Sequence, residues 1–263
     1  MKNENRILEH FAREEREFVE KMMDMCQQVV DTYSYRLTSF LNPRQDAIVH
    51  MLANHYQLQA FSTRDFFQTE YSRIILAPSY YVLDRDDFDV MALEITYSRK
   101  FHSLSHSQVL GTFLHQLGIR REYLGDILFT EEQLLVFLDK KFGELAHQSI
   151  SKIAKVPVQM RERDWQSISM KTSDEPNFKE VLVSSLRLDK LIAVAFHLSR
   201  TRVDKLIAAG HVKLDYVQVE QGSKQVEVGQ LISLRKYGRV LVKEVLGFSK
   251  QGKVKLKLEI IKT

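Results

Sequence analysis

Residues 185–214 read SLRLDKLIAVAFHLSRTRVDKLIAAGHVKL, and their periodicity predicts two short helices feeding a strand. Leu188, Leu191, Ile192 and Ala195 stand at i, i+3, i+4 and i+7, so one face of the first helix turns inward while Arg187 and Lys190 point elsewhere. Ser199 is a good N-cap for the second helix, Val203, Leu206 and Ile207 supply its apolar face, and Gly210 stands where a left-handed residue ends it. Arg200 and Arg202 fall in its first turn, where the helix dipole disfavours cations by roughly 0.3–1 kcal/mol each. An arriving anion reverses that penalty, so the free N–H groups and two guanidinium groups predict a phosphate site. Val212-Lys213-Leu214 then begins a strand, Asp215-Tyr216 turns it, and Val217 and Val219 return.

Downstream, Val226, Val228, Leu231, Ile232 and Leu234 fit further strands, with Gly229 at a turn and Tyr237-Gly238-Arg239 at another. At the end, Val254, Leu256, Leu258 and Ile260 alternate with Lys253, Lys255, Lys257 and Glu259. That lysine face fits two roles equally, protection of an edge strand from aggregation or contact with nucleic acid. Charge bears on the module as a whole, where the alternative to polyanion binding is a solvated basic surface. The whole chain of 263 residues is formally +4, but residues 184–263 carry 16 Lys+Arg against 7 Asp+Glu, and the preceding 183 residues carry 22 against 27. A basic module beside an acidic one is the footprint of binding to a polyanion, because cations that neutralise phosphates release condensed counterions.

The rest of the chain has ordinary globular composition, 44% apolar and 27% charged. No apolar run is long enough to span a membrane, and the charged start does not resemble a secretory signal. The lone Cys26 excludes an intramolecular disulfide and a dithiol motif, which fits a reducing cytoplasm. Apolar spacing from Asn5 to Phe40 predicts two helices with a Met22, Met23, Met25 stripe as core filling, and Pro43 starts another with Ala47, Ile48, Met51 and Leu52 inward. From Arg73 the period changes. Ile74 to Ala77 and Phe88 to Tyr97 read as strands, with Asp84-Arg85-Asp86-Asp87 as a solvated turn between them. Ser105 caps a helix that ends at Gly118, Glu131 to Phe142 forms a second helix ended by Gly143, and Asp126–Phe129 and Val156–Met160 are short strands. The fold class is therefore α+β: a helical domain over 1–72, an α+β domain of split βαβ type over 73–170, a linker over 171–183, and over 184–263 a two-helix and twisted-sheet module with its terminal strand.

Ser185 to Lys190, Leu198 to Arg202, Leu206 to Lys213 and Gly229 to Ser233 together resemble the RNA-binding domain named after ribosomal protein S-four, over about 184–246. Two positions depart from its pattern: Asp215-Tyr216 stands where Asn-Gly is usual, and Gln230 where Asp commonly follows the glycine. Upstream, Ile74 to Tyr81, Lys100 to His106 and Leu110 to Ile127 resemble the YlmH family of Gram-positive bacteria, and with the C-terminal module the similarity spans nearly the whole chain. Glu70-Tyr71-Ser72-Arg73 departs from that family's Glu-Arg-x-Arg. The resemblance implies a cytoplasmic RNA-binding protein encoded near cell-division genes, associated with the large ribosomal subunit carrying peptidyl-tRNA in rescue of stalled translation.

No cofactor loop, tuned acid–base pair or activated nucleophile stands out. Leu186-Arg187-Leu188-Asp189 echoes the Gly-Arg-Leu-Asp motif of pseudouridine synthases, but Leu186 replaces the glycine and Asp189 lies within the binding module itself. His102 and His106 have i, i+4 spacing, with His115 beyond, yet lack the adjacent Glu of a zinc hydrolase, so no metal is expected. The expected function is non-catalytic binding of structured RNA, rRNA or tRNA, with no cofactor. Arg187, Lys190, Ser199, Arg200, Thr201, Arg202, Lys205, Lys213, Arg235 and Lys236 would grip the backbone, and Arg120 and Arg121 are an additional candidate contact to phosphate or a partner. The alternatives are a cell-division scaffold with secondary RNA binding, and an RNA-modifying enzyme using Asp189.

Overall fold

The computed structural model describes residues 8, 9, 11–67, 69–130, 133–168 and 177–261. Two compact units form, residues 1–173 and 174–263.

In the first unit, helix α1 (Arg16–Thr32) buries Val19, Met22, Met23, Cys26 and Val29, the stripe that a period of 3.6 places on one face. It ends where Tyr33 takes a left-handed φ of 50°. The helical run expected as far as Phe40 therefore stops short, and Arg36–Leu37 is strand β1. Helix α2 (Pro43–His55) starts at a reciprocal cap: Gln45 N donates to Asn42 Oδ1 at 3.0 Å and Asn42 N donates to Gln45 Oε1 at 3.1 Å. Strands β2 (Gln59–Ser62) and β3 (Ile74–Ala77) follow, in an antiparallel sheet of order β1-β3-β2. Every residue of β3 is buried, Ile74 and Leu76 against α1 and α2, Ile75 and Ala77 against a second core. The stretch expected to be a helical domain has its helices and also contributes two strands, which pair with both edges of β3.

The second core belongs to a four-stranded sheet built from β4 (Val90–Thr96), helix α3 (His106–Leu117), β5 (Leu124–Phe129), β6 (Leu134–Asp139), helix α4 (Gly143–Ser149), a small hairpin of β7 (Lys152–Ile153) and β8 (Val156–Pro157), and β9 (Gln159–Arg163). Its order is β5-β6-β4-β9 with antiparallel neighbours, so β4 and β5 flank β6 as in a split βαβ arrangement. The expected helix over Glu131–Phe142 is instead strand β6, residues 131 and 132 lying outside the described set. Leu134, Val136 and Leu138 face α3 and α4, and Leu135 and Phe137 face Phe67, Ile75, Ala77, Phe88 and Trp165. A strand apolar on both faces shows no alternation, which is why its sequence imitates a buried helix. Buried Arg73 joins the two sheets, donating at 2.9 Å to Thr38 O and to Asp89 O and pairing with Asp139 at 3.2 Å.

In the second unit, β10 (Phe178–Val183) precedes helices α5 (Leu188–Ala195) and α6 (Arg200–Ala208), then β11 (Val212–Leu214), β12 (Val217–Gln218), β13 (Leu231–Leu234), β14 (Gly238–Phe248) and β15 (Val254–Ile261). The antiparallel order is β10-β15-β14-β13-β11-β12, with both helices packed on one face. Two expectations are corrected. The supposed linker supplies β10, residues 171–176 lying outside the described set, and β10 covers the edge of β15, which is therefore an interior strand. Val226 and Val228 are not in strands; Val226 N donates to Leu186 O at 2.9 Å in a loop laid along the start of α5.

Candidate nucleic-acid interface

Asp189 organises the helical end of the C-terminal module. Its side chain is buried, yet both carboxylate oxygens are engaged: Arg187 Nε and Nη2 donate to Oδ1 and Oδ2 at 3.1 and 2.9 Å, and Arg200 Nη2 donates to Oδ2 at 3.3 Å. Lys190 N also donates to Oδ1 at 2.9 Å. The bidentate Arg187, followed by Arg200, holds the Asp189 carboxyl below the usual carboxylate range against the opposing effect of burial. Two arginines separated by thirteen positions in sequence are thereby fixed side by side.

The N-terminus of α5 is closed to anions by the 222–224 loop, where Leu188 N donates to Lys224 O and Asp189 N to Gly222 O, both at 2.9 Å. A methyl at Gly222 would stand 3.1 Å from Asp189 Cβ and from Ile207 Cδ1, so the absence of a side chain lets the loop lie this close. At α6, Ser199 Oγ accepts from Arg202 N at 3.3 Å. Arg200 and Arg202 do not converge there, because positions two apart on a helix point about 200° from each other. Arg200 turns to Asp189, and Arg202 stands on the opposite flank, one turn before exposed Lys205. Thr201 is exposed as well.

The strand-side cations are placed differently. Lys213 lies between buried Val212 and Leu214 and so projects from the sheet face opposite the helices. Arg235 N donates to His211 O at 3.0 Å, and the exposed Arg235-Lys236 turn sits beside the chain leaving α6, the end away from Arg200. On β14 and β15 the lysines are neutralised by carboxylates across the sheet: Lys255 with Glu180 at 2.7 Å, Lys257 with Glu244 at 3.2 Å and Lys243 with Glu259 at 3.3 Å. The one broad basic surface expected from sequence is a helical cluster plus scattered strand cations. Asp189 was legible only as a catalytic echo; its spacing to Arg187 gives no hint that Arg200 completes the clamp.

In the first unit, Arg121 stacks 4.1 Å from the Tyr71 ring centroid and donates to Leu124 O, whereas Arg120 is exposed and pairs with Glu122. Gly125 leaves room for Phe40, whose ring a methyl there would approach to 2.7 Å. Burial pushes the neighbouring Asp126 carboxyl up to about 6, although it accepts a hydrogen bond from Tyr71 N at 3.2 Å. Cys26 is fully buried and its thiol is pushed up to about 11, which removes thiolate chemistry near neutral pH. Among the described residues, no group of three or more His, Cys, Asp or Glu side chains is arranged to hold a metal ion. Nor is any described helix long and apolar enough to cross a membrane.

Strand β6, in the interior of the central sheet, is buried along its whole length and offers no exposed aromatics for bases to stack on. The C-terminal helices, the β11–β12 hairpin and the start of β13 match the S4 domain family over residues 186–232, so this is a chain with an S4-type RNA-binding module. Two further family models match: "YlmH, N-terminal" over 14–81 and "Putative RNA-binding domain in YlmH" over 84–167. A Bacillus subtilis (strain 168) relative, "Ribosome-associated protein quality control protein P2", is 27% identical over 253 residues, 96% of this chain and 98% of that protein. A solved structure, "Cell division protein ylmH from Streptococcus pneumoniae", is similar with a TM-score of 0.54 and 38% identity, covering 61% of this chain and 98% of that one. The chain belongs to the YlmH family.

Proposed function

We propose that the protein is a non-catalytic RNA-binding factor that engages structured rRNA and tRNA on the large ribosomal subunit during rescue of stalled translation, in the cytoplasm. The observation that carries this reading is the Asp189 clamp. It holds Arg187 and Arg200 at the surface of an S4-type module whose α6 also exposes Arg202 and Lys205. Fixed guanidinium forks suit phosphate recognition, and shape readout of structured RNA requires no base-specific groups. Lys190, Ser199 and Thr201 adjoin this cluster; Lys213, Arg235 and Lys236 would contact a different stretch of the same RNA. The name of the B. subtilis relative supports the ribosomal setting. Asp189 acts here as a clamp and not as a reacting group, since both oxygens are engaged by arginines.

The test is binding to purified large subunits carrying peptidyl-tRNA, compared with vacant large and small subunits over a salt series. Preferential binding to the first, weakened and with a flatter salt slope in Arg200→Ala/Arg202→Ala, is the expected result. Equal binding to all three particles, or an unchanged slope in the variant, overturns the reading.

A second reading, a cell-division scaffold, is favoured by the name of the S. pneumoniae structure and by a surface unsuited to RNA, where exposed Tyr33, Tyr80 and Val82 lie near Asp84, Asp86 and Asp87 in the chain or the fold. Capture of a division protein by the nuclease-treated chain, lost in Tyr80→Ala, would support it.

A further inference from the structure

The first unit contains a cleft of about 400 Å³ between α1, the start of α2 and the turn before β5. That volume lies within the range of small-ligand sites, roughly 300–1,000 Å³. Its lining combines Lys21, Arg120 and Arg121 with Phe40 and Tyr71, and Glu122 is its single carboxylate. The chain is acidic over its first 183 residues, so a pocket with three cations and one acid runs against its surroundings.

Arg121 is not a mobile surface cation. Its guanidinium lies 4.1 Å from the Tyr71 ring centroid and donates to Leu124 O, which fixes a flat, charged plate in the cleft wall. Tyr71 is held in turn by Asp126, which accepts from its backbone N–H at 3.2 Å. Phe40 is seated against Gly125, where no Cβ could be accommodated without displacing the ring. Lys21 and Arg120 are exposed at the lip, Arg120 at 72% of its side-chain surface. A rigid guanidinium–aromatic stack beside exposed Lys21 and an Arg120 drawn to Glu122 and Tyr123 is the chemistry that takes an unstacked base and its phosphate. The interior strand β6 of the neighbouring sheet, packed on both faces, offers bases no platform.

We propose that this cleft holds one unpaired ribonucleotide, its base against the Arg121–Tyr71 stack and its phosphate between Lys21 and Arg120. It would be a second RNA contact, separate from the C-terminal helices. This inference rests on the RNA-binding reading above and adds the single-stranded part of the target.

The full-length chain is photocrosslinked to an RNA hairpin with a short single-stranded overhang, 4-thiouridine standing in both parts, and the modified peptides are mapped by mass spectrometry. Crosslinks are expected both in the cleft segments and in the α5–α6 region. Lys21→Glu/Arg120→Glu should lower the cleft yield about tenfold and leave the α5–α6 yield unchanged, with the thermal midpoint as a check on folding. Glu122→Gln should raise the cleft yield, a direction that structural damage does not produce. Crosslinks confined to α5–α6 overturn the cleft proposal and leave the RNA-binding reading standing. Absence of crosslinks anywhere overturns both, and a cleft yield insensitive to all these changes overturns the placement of the nucleotide.

Discussion

Gln230 Nε2 donates to Asp215 Oδ2 at 2.8 Å, while Asp215 Oδ1 accepts from Leu231 N at the same distance. The two positions at which the C-terminal module departs from the family pattern are therefore partners. Asp215 and Tyr216 both have positive φ, 48° and 70°, as the tight turn between β11 and β12 demands, and the Asp215 carboxylate is folded back onto the start of β13. The acid is engaged within the hairpin, and its donor stands where the family pattern would place a second acid.

A double-mutant cycle follows from that pairing. Gln230→Asp alone places two carboxylates together and should destabilise the module by about 1–3 kcal/mol in urea unfolding. Asp215→Asn combined with Gln230→Asp restores a donor–acceptor pair of reversed polarity and should recover most of the loss. Additive single effects would show that the pair is not coupled.

Asp189→Asn separates positioning from charge. The substitution makes the module more positive, so net charge alone predicts tighter RNA binding. Loss of the carboxylate that holds Arg187 and Arg200 predicts weaker binding, and that is the expected result in a salt-controlled titration. Because the folded Asp189 carboxyl is depressed, its stabilising contribution is present above the unfolded value near 3.8 and is lost as pH falls through the folded value. The stability gap between wild type and Asp189→Asn should accordingly be widest near neutrality and close in acid.

Asp126 has the opposite sign. A carboxyl raised from 3.8 to about 6 binds its proton more tightly in the folded chain, so stability falls as pH rises between those values. At about 1.4 kcal/mol per unit, the cost at neutral pH is on the order of 2–3 kcal/mol. Asp126→Asn keeps an acceptor for Tyr71 N and removes the charge. Its thermal midpoint should exceed that of wild type near pH 7 and match it near pH 4.

Neutralising the terminal strand tests where the useful cations are. Lys255→Gln/Lys257→Gln removes two positive charges that Glu180 and Glu244 already offset, so affinity for structured RNA should stay within about twofold. Arg187→Ala/Arg200→Ala removes the same formal charge and should weaken binding by at least about tenfold. Comparison of the two dissociation constants at one salt concentration decides the point.

The helices of the C-terminal module were legible because their faces alternate clearly: Leu188, Leu191 and Ile192, then Val203, Leu206 and Ile207, go inward as spaced. The caps Ser105 and Ser199 were legible for the same local reason. Strand β6 was not, since Leu134 to Leu138 packs against two cores and keeps no period. Nor was β10, whose partner β15 lies more than seventy residues away, a pairing that no local pattern encodes. Site residues divided likewise. The charge excess points to the S4-type module, but only tertiary contacts reveal that Asp189 unites Arg187 with Arg200 and that the β15 lysines are matched by glutamates.

The pairing of Phe178 with Glu259 brings the first and last strands of the C-terminal module together at one corner. A fluorophore placed on Glu259 would sit beside Phe178 of the neighbouring strand, so labelled forms should carry the probe away from that crowded corner.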